Sequence, residues 1–127
     1  MELETDRSCC EVLVSGTAAE LAELARVVAA GEGFIGSVPC AGGLTGVEGR
    51  RRTGPGVLVH LDAERQVLLI SGDQAGRTLL GEIIQDTAEA DDGGHVHIDW
   101  FPGHYYLVEG SIALVLDSPL GGTPLRR

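Results

Sequence analysis

The feature that most constrains this chain is an internal echo. Val12-Leu13-Val14-Ser15-Gly16-Thr17 runs into an alanine- and leucine-rich segment, and fifty-six residues further on Leu68-Leu69-Ile70-Ser71-Gly72-Asp73 does the same. The register continues past the turn, matching Ala19 with Ala75, Leu24 with Leu80, Val27 with Ile83 and Val28 with Ile84. Each copy reads as a short apolar strand, a Ser-Gly turn and an amphipathic helix, one supersecondary unit used twice. Thr17 is placed to cap the first helix and Glu20 sits three residues on, as a capping box requires; Gly31 and Gly33 stop it. Its apolar face is Leu21, Leu24, Ala25 and Val28. The second helix starts at Asp73, buries Leu79, Leu80, Ile83 and Ile84, and stops at Asp91-Asp92-Gly93-Gly94. A helix with one wet and one dry side covers a sheet.

The rest of the chain supplies that sheet. Val57 to Leu61 and Val67 to Ile70 flank Asp62-Ala63-Glu64-Arg65-Gln66, a hairpin by composition. In His95 to Phe101, the apolar residues Val96, Ile98 and Trp100 alternate with His95, His97, Asp99 and Phe101, so strand geometry puts the two sets on opposite faces. Trp100 then belongs to the core, and Ser111 to Asp117 forms a last strand. Residues 31–56 hold nine of the nineteen glycines together with Pro39, Pro55 and Arg50-Arg51-Arg52; they read as a flexible loop with a short strand at Phe34 to Val38. The tail from Pro119 to Arg127 reads as frayed. The expected fold is α+β over a single domain of 1–127: a mainly antiparallel sheet with two helices on one face, a split-βαβ, ferredoxin-like order with an added C-terminal strand. The other sheet face is left for solvent or a partner.

Charge and cysteine usage narrow the function. Nine arginines, no lysine and nineteen acids give a net charge of −10, which repels a phosphate backbone and disfavours nucleic-acid binding. No apolar run approaches the roughly 20 residues of a membrane span. MELETDRSCC carries acids where a signal peptide carries cations, so a cytoplasmic protein that does not engage membranes is expected. Cys9, Cys10 and Cys40 are an odd set without metal-knuckle spacing, consistent with reduced thiols.

The motifs are sparse. Gly31-Glu32-Gly33-Phe34-Ile35-Gly36 has dinucleotide-loop spacing but follows a helix instead of opening one, and Glu32 would repel a pyrophosphate. A Walker A loop needs a lysine, and neither Ser15 nor Ser71 sits in a nucleophile elbow. His95-Val96-His97-Ile98-Asp99 places two imidazoles and a carboxylate on one strand face, with His104 a few residues on. Two histidines and a carboxylate can hold a transition metal, but the further ligands of cupin or zinc-hydrolase sites are missing, so neither a metal nor another cofactor is expected. Four of the five aromatic residues, Trp100, Phe101, Tyr105 and Tyr106, fall within seven positions. Beside His95, His97, Asp99 and His104, the rings of Phe101, Tyr105 and Tyr106 suit a partner-binding surface, the alternative being a packed loop at the sheet end. No arginine lies between Arg77 and Arg126, so this half is acidic and suits a basic partner.

The run His95-Val96-His97-Ile98-Asp99-Trp100-Phe101-Pro102-Gly103-His104-Tyr105-Tyr106-Leu107, followed by Gly110-Ser111 and Leu114-Val115-Leu116, resembles the immunity protein 32 family of bacterial polymorphic toxin systems. The strand-Ser-Gly-helix segments ahead of it are similar to that family as well. The resemblance implies a small cytosolic protein that binds and neutralises a cognate toxin with no catalysis of its own. Beside it stand two other readings. One is a small metal-dependent enzyme centred on His95, His97 and Asp99; the other is a structural or scaffolding protein that forms a homodimer through its open sheet face.

Overall fold

Both copies of the echoed motif fold as strand, turn and helix, with their caps in the same register. In the structure, a computed structural model, residues 1–5, 11–37, 44–90 and 95–117 are described. Strands β1 (Glu2–Thr5) and β2 (Glu11–Ser15) lead into α1 (Ala18–Ala30), which is followed by β3 (Phe34–Gly36) and β4 (Gly46–Arg51). The second copy runs β5 (Val57–Asp62), β6 (Val67–Gly72), α2 (Gln74–Glu89), β7 (His95–Ile98) and β8 (Ala113–Asp117). The Thr17 hydroxyl accepts from the Glu20 amide at 3.1 Å while a Glu20 carboxylate oxygen accepts from the Thr17 amide at 2.9 Å, closing the capping box. Gly31 ends α1 in the left-handed conformation, φ 73°, and its amide donates to the Val27 and Val28 carbonyls. Asp73 caps α2 through the Gly76 amide at 2.8 Å. The expected stop at Asp91 to Gly94 lies outside the described residues, as do all three cysteines and the tail from Pro119; α2 itself ends at Glu89, with Ala90 as its cap.

The chain is therefore two ββαββ units, and they exchange hairpins. One sheet has the order β1-β2-β8-β7 and the other β3-β4-β6-β5. In each, two antiparallel pairs are joined by a central parallel pair: β2 with β8 (Val12 opposite Leu114), and β4 with β6 (Val47 opposite Leu68). Each sheet thus takes its first hairpin from one unit and its second from the other. Alternate residues of both sheets face one core, where Leu3, Val12, Val14, Leu114 and Leu116 meet Val47, Val59, Leu68 and Ile70 across Leu21, Leu24, Val28, Leu80 and Ile84.

Glycine lets these layers close. A side chain at Gly49 would bring its Cβ to 2.7 Å from the Val27 carbonyl oxygen, so β4 can lie against α1 only without one. Arginines finish the same region. Arg77 of α2 is buried and donates through Nε to the Gly72 carbonyl at 3.0 Å and through Nη1 to the Ala29 carbonyl at 2.6 Å. The last turn of α1 has no basic residue of its own, so this guanidinium, with Arg51 Nε on the Ala30 carbonyl at 3.3 Å, supplies the positive charge its C-terminus favours. On β4, Arg65 and Arg50 both bond Glu48 at 2.5 Å and hold its carboxyl below the ordinary carboxylate range.

The α+β class and the predominance of antiparallel pairs match expectation; the single ferredoxin-like sheet does not. Two mixed sheets form because β1 and β4 both add strands, and because strand exchange is a long-range choice that local periodicity does not encode. The glycine-rich stretch carries the expected short strand, as β3, and in place of the rest of the loop it also carries β4, its glycines serving close approach as well as turns. Within α2, Leu80 and Ile84 are fully buried, but Leu79 and Ile83 only partly, because the core side of the helix is completed by the small residues Gly76, Gly81 and Ala88. Leu24→Ala and Leu80→Ala, at echoed and equally buried positions, should each lower unfolding free energy by about 2–5 kcal/mol in urea titrations. Arg77→Met should cost about 1–3 kcal/mol, because it removes the Nη1 donor from the Ala29 carbonyl and the Nε donor from the Gly72 carbonyl, which keeps only the Arg52 amide.

Candidate functional site

β7 is an edge strand, bonded on one side to β8 with His95 opposite Asp117 and His97 opposite Val115. Strand alternation sets His95 and His97 on the outer face of the sheet, their ring centroids 5.1 Å apart, with Asp117 Oδ1 4.0 Å from His95 Nδ1. Val96 and Ile98 point the other way. Ile98 is buried as expected, but Val96 is 36% exposed, because among the described residues no strand flanks β7 on its free side. Trp100 is half-buried and packs against the core.

Beyond β7 the chain turns at Gly103, φ 87°, with the His104 amide donating to the Phe101 carbonyl at 2.9 Å. This turn drives His104 into a cluster of rings. Phe101 lies 4.7 Å from it, Tyr105 stacks at 5.4 Å and Tyr106 meets it edge-on at 4.6 Å. His104 Nδ1 accepts from the amides of Tyr106 at 3.2 Å and Leu107 at 3.0 Å. A nitrogen engaged in that way carries no proton, so this bonding assigns the neutral ring with its proton on Nε2. Desolvation acts in the same direction, pushing the His104 pKa below its ordinary value. The next residues are tied down. Val57 donates to the Tyr106 carbonyl at 2.7 Å, and Val108 and Ile112 donate back to Val57 and Val59 at 2.9 and 2.8 Å, covering the free edge of β5.

Between α2, β7 and this segment lies a groove of about 290 Å³, lined by Ile83, Val96, His97, Ile98, Asp99, Phe101, His104, Tyr105 and Tyr106. The structure thus gathers His97, Asp99, Phe101, His104, Tyr105 and Tyr106 on one surface, with His95 beside them against His97. Tyr106 differs from expectation in its exposure. It is a core residue, 5% exposed, whose hydroxyl is pushed up to about 12, chiefly by burial; Tyr105 is 73% and Phe101 53% exposed. Adjacent tyrosines cannot both face outward when their backbone runs along a sheet edge. Sequence reasoning missed Ile83 and Val96 as lining residues, although the echo of Ile83 with Val27 was a usable signal. In the first unit, Val27 lines the equivalent space between α1 and β3. Among the described residues no group of three or more His, Cys, Asp or Glu is placed to hold a metal ion.

The fold and groove define an α+β protein whose aromatic surface follows an edge strand. Residues 67–119, which run from β6 to just past β8 and include the whole groove, match the model of the immunity protein 32 family, the family the sequence resembles. That match supports an immunity role in general. No curated protein and no solved structure matches the chain significantly. No helix among the described residues is long and apolar enough to cross a membrane.

The His104 geometry sets a pH dependence. With its folded pKa depressed below the ordinary histidine value, the unfolded state binds the extra proton first, so this contribution to stability is full above that ordinary value and falls as pH drops below it. The melting temperature should therefore fall from pH 7.5 to pH 5, and His104→Gln should flatten that dependence. Proton NMR should show His104 titrating below free histidine.

Proposed function

We propose that the protein is a cytoplasmic immunity protein that binds and neutralises a cognate toxin without catalysis, through the surface of His95, His97, Asp99, Phe101, His104 and Tyr105, with Tyr106 buttressing it from the core. The observation that carries this reading is the exposure of Phe101 and Tyr105 on a framework that is otherwise fixed. Their neighbours are locked by the His104 bonds and by the stitching to β5, so the two rings stand in water on a preorganised base. Rigid aromatic rings on such a base have the composition of interface anchors. The family match over the same segment supports a toxin as the partner, and the net charge of −10 favours a basic one.

Co-expression with the toxin encoded beside the gene tests the reading. The wild-type chain should restore growth and form a stoichiometric complex. Tyr105→Ala and Phe101→Ala should each weaken binding by about 1–3 kcal/mol, mainly through faster dissociation. Association should slow with added salt, since acid-driven steering is screened over a Debye length of about 10 Å at 0.1 M. Tyr106→Ala should instead lower folding stability. A wild-type chain that neither protects nor binds would overturn the reading.

A further inference from the structure

Three of the four strands that end a sheet are guarded. β1 carries Glu2 and Glu4, charges that oppose addition of another strand. β3 is three residues long, and β5 is covered by backbone bonds from the segment between Tyr106 and Ile112. β7 is different. His95-Val96-His97-Ile98 contains no Lys, Arg, Asp or Glu, and among the described residues its backbone pairs with β8 alone. Beneath its free edge lies the groove, where Val96 faces the core side and is yet 36% exposed, beside Ile83 and the exposed ring of Phe101.

We propose that β7 is a docking edge: an extended segment of a partner protein adds to it as a fifth strand of the first sheet, placing alternate apolar side chains in the groove between β7 and α2. The inference rests on the partner-binding reading above and specifies its mode. Strand addition supplies affinity through main-chain hydrogen bonds, and a groove under the edge supplies choice through every second side chain. The occupant is a strand with basic flanks. Asp99 follows β7 at one end, Asp117 pairs with His95 at the other, and no arginine occurs between Arg77 and Arg126. A second copy of the chain is a poorer fit, because each copy carries a net charge of −10.

The test uses an alternating arginine–valine hexapeptide as probe against the ¹⁵N-labelled full chain. Amide exchange at residues 95–98 should slow and resonances of Ile83 and Phe101 should shift. Val96→Lys, a substitution at a side chain already partly in water, should weaken binding at least tenfold without loss of fold. Shifts confined to Glu82, Asp86 and Glu89 on α2, or no slowing at β7, would overturn the proposal; so would protection of β7 that grows with protein concentration alone, which would identify a second copy on the edge. The neighbouring toxin is a separate probe. A toxin complex in which β7 exchange is unchanged overturns strand addition and leaves the immunity reading intact. Peptide protection together with no toxin binding does the reverse.

Discussion

Each sheet is held at its centre by a parallel pair whose strands come from opposite halves of the chain, β2 with β8 and β4 with β6. The cost of this arrangement is the chain entropy of bringing distant segments together. It is offset by burial of the central strands, including Leu68, Ile70, Leu114 and Leu116, all nearly inaccessible to water. The remaining geometry follows. With β8 and β6 at the sheet centres, their hairpin partners β7 and β5 must be edges. The helix of each unit, leaving one sheet and feeding a strand into the other, must lie over the shared core. The groove sits where it does because α2 and an edge strand are forced side by side.

The two units make that groove differently. Between α1 and β3 the lining includes Glu23, Arg26 and Glu32, with Phe34 at the rim. Between α2 and β7 it is mostly aromatic, imidazole and aliphatic, and the extra residues between β7 and β8 supply Phe101, His104 and Tyr105. Beside the first groove, Arg51 caps α1 and Arg50 joins Arg65 on Glu48. The second unit carries rings on a fixed turn instead. One scaffold thus holds a charged copy of the groove and an aromatic one.

What could be read from the sequence was what is local. Thr17 and Asp73 were legible as caps because capping needs a residue type at a fixed offset, and the 57–70 hairpin was legible because its turn and apolar runs adjoin. β4 was hidden because Gly46 and Gly49 look like loop residues; their small size is needed for contact with β3 and α1, a relation visible only once those elements meet. β1 was hidden among the acids that protect it as an edge. The candidate surface was legible as a cluster, because seven residues near one strand stay together in any fold. Its depth was not, since Tyr105 and Tyr106 differ only through the bonding of Tyr106 and Leu107 to His104 and β5.

The exchange of hairpins also orders events in time. A ribosome delivers β2 well before β8, the strand that completes it. While the chain is being synthesised the long side of β2 stays open, with Val12 and Val14 lacking their neighbours, and the second sheet, whose β4 and β6 emerge earlier, can close before it. The growing chain therefore has an assembly sequence written into its topology: the sheet without the aromatic groove first, and the sheet that carries it only once β8 has been made.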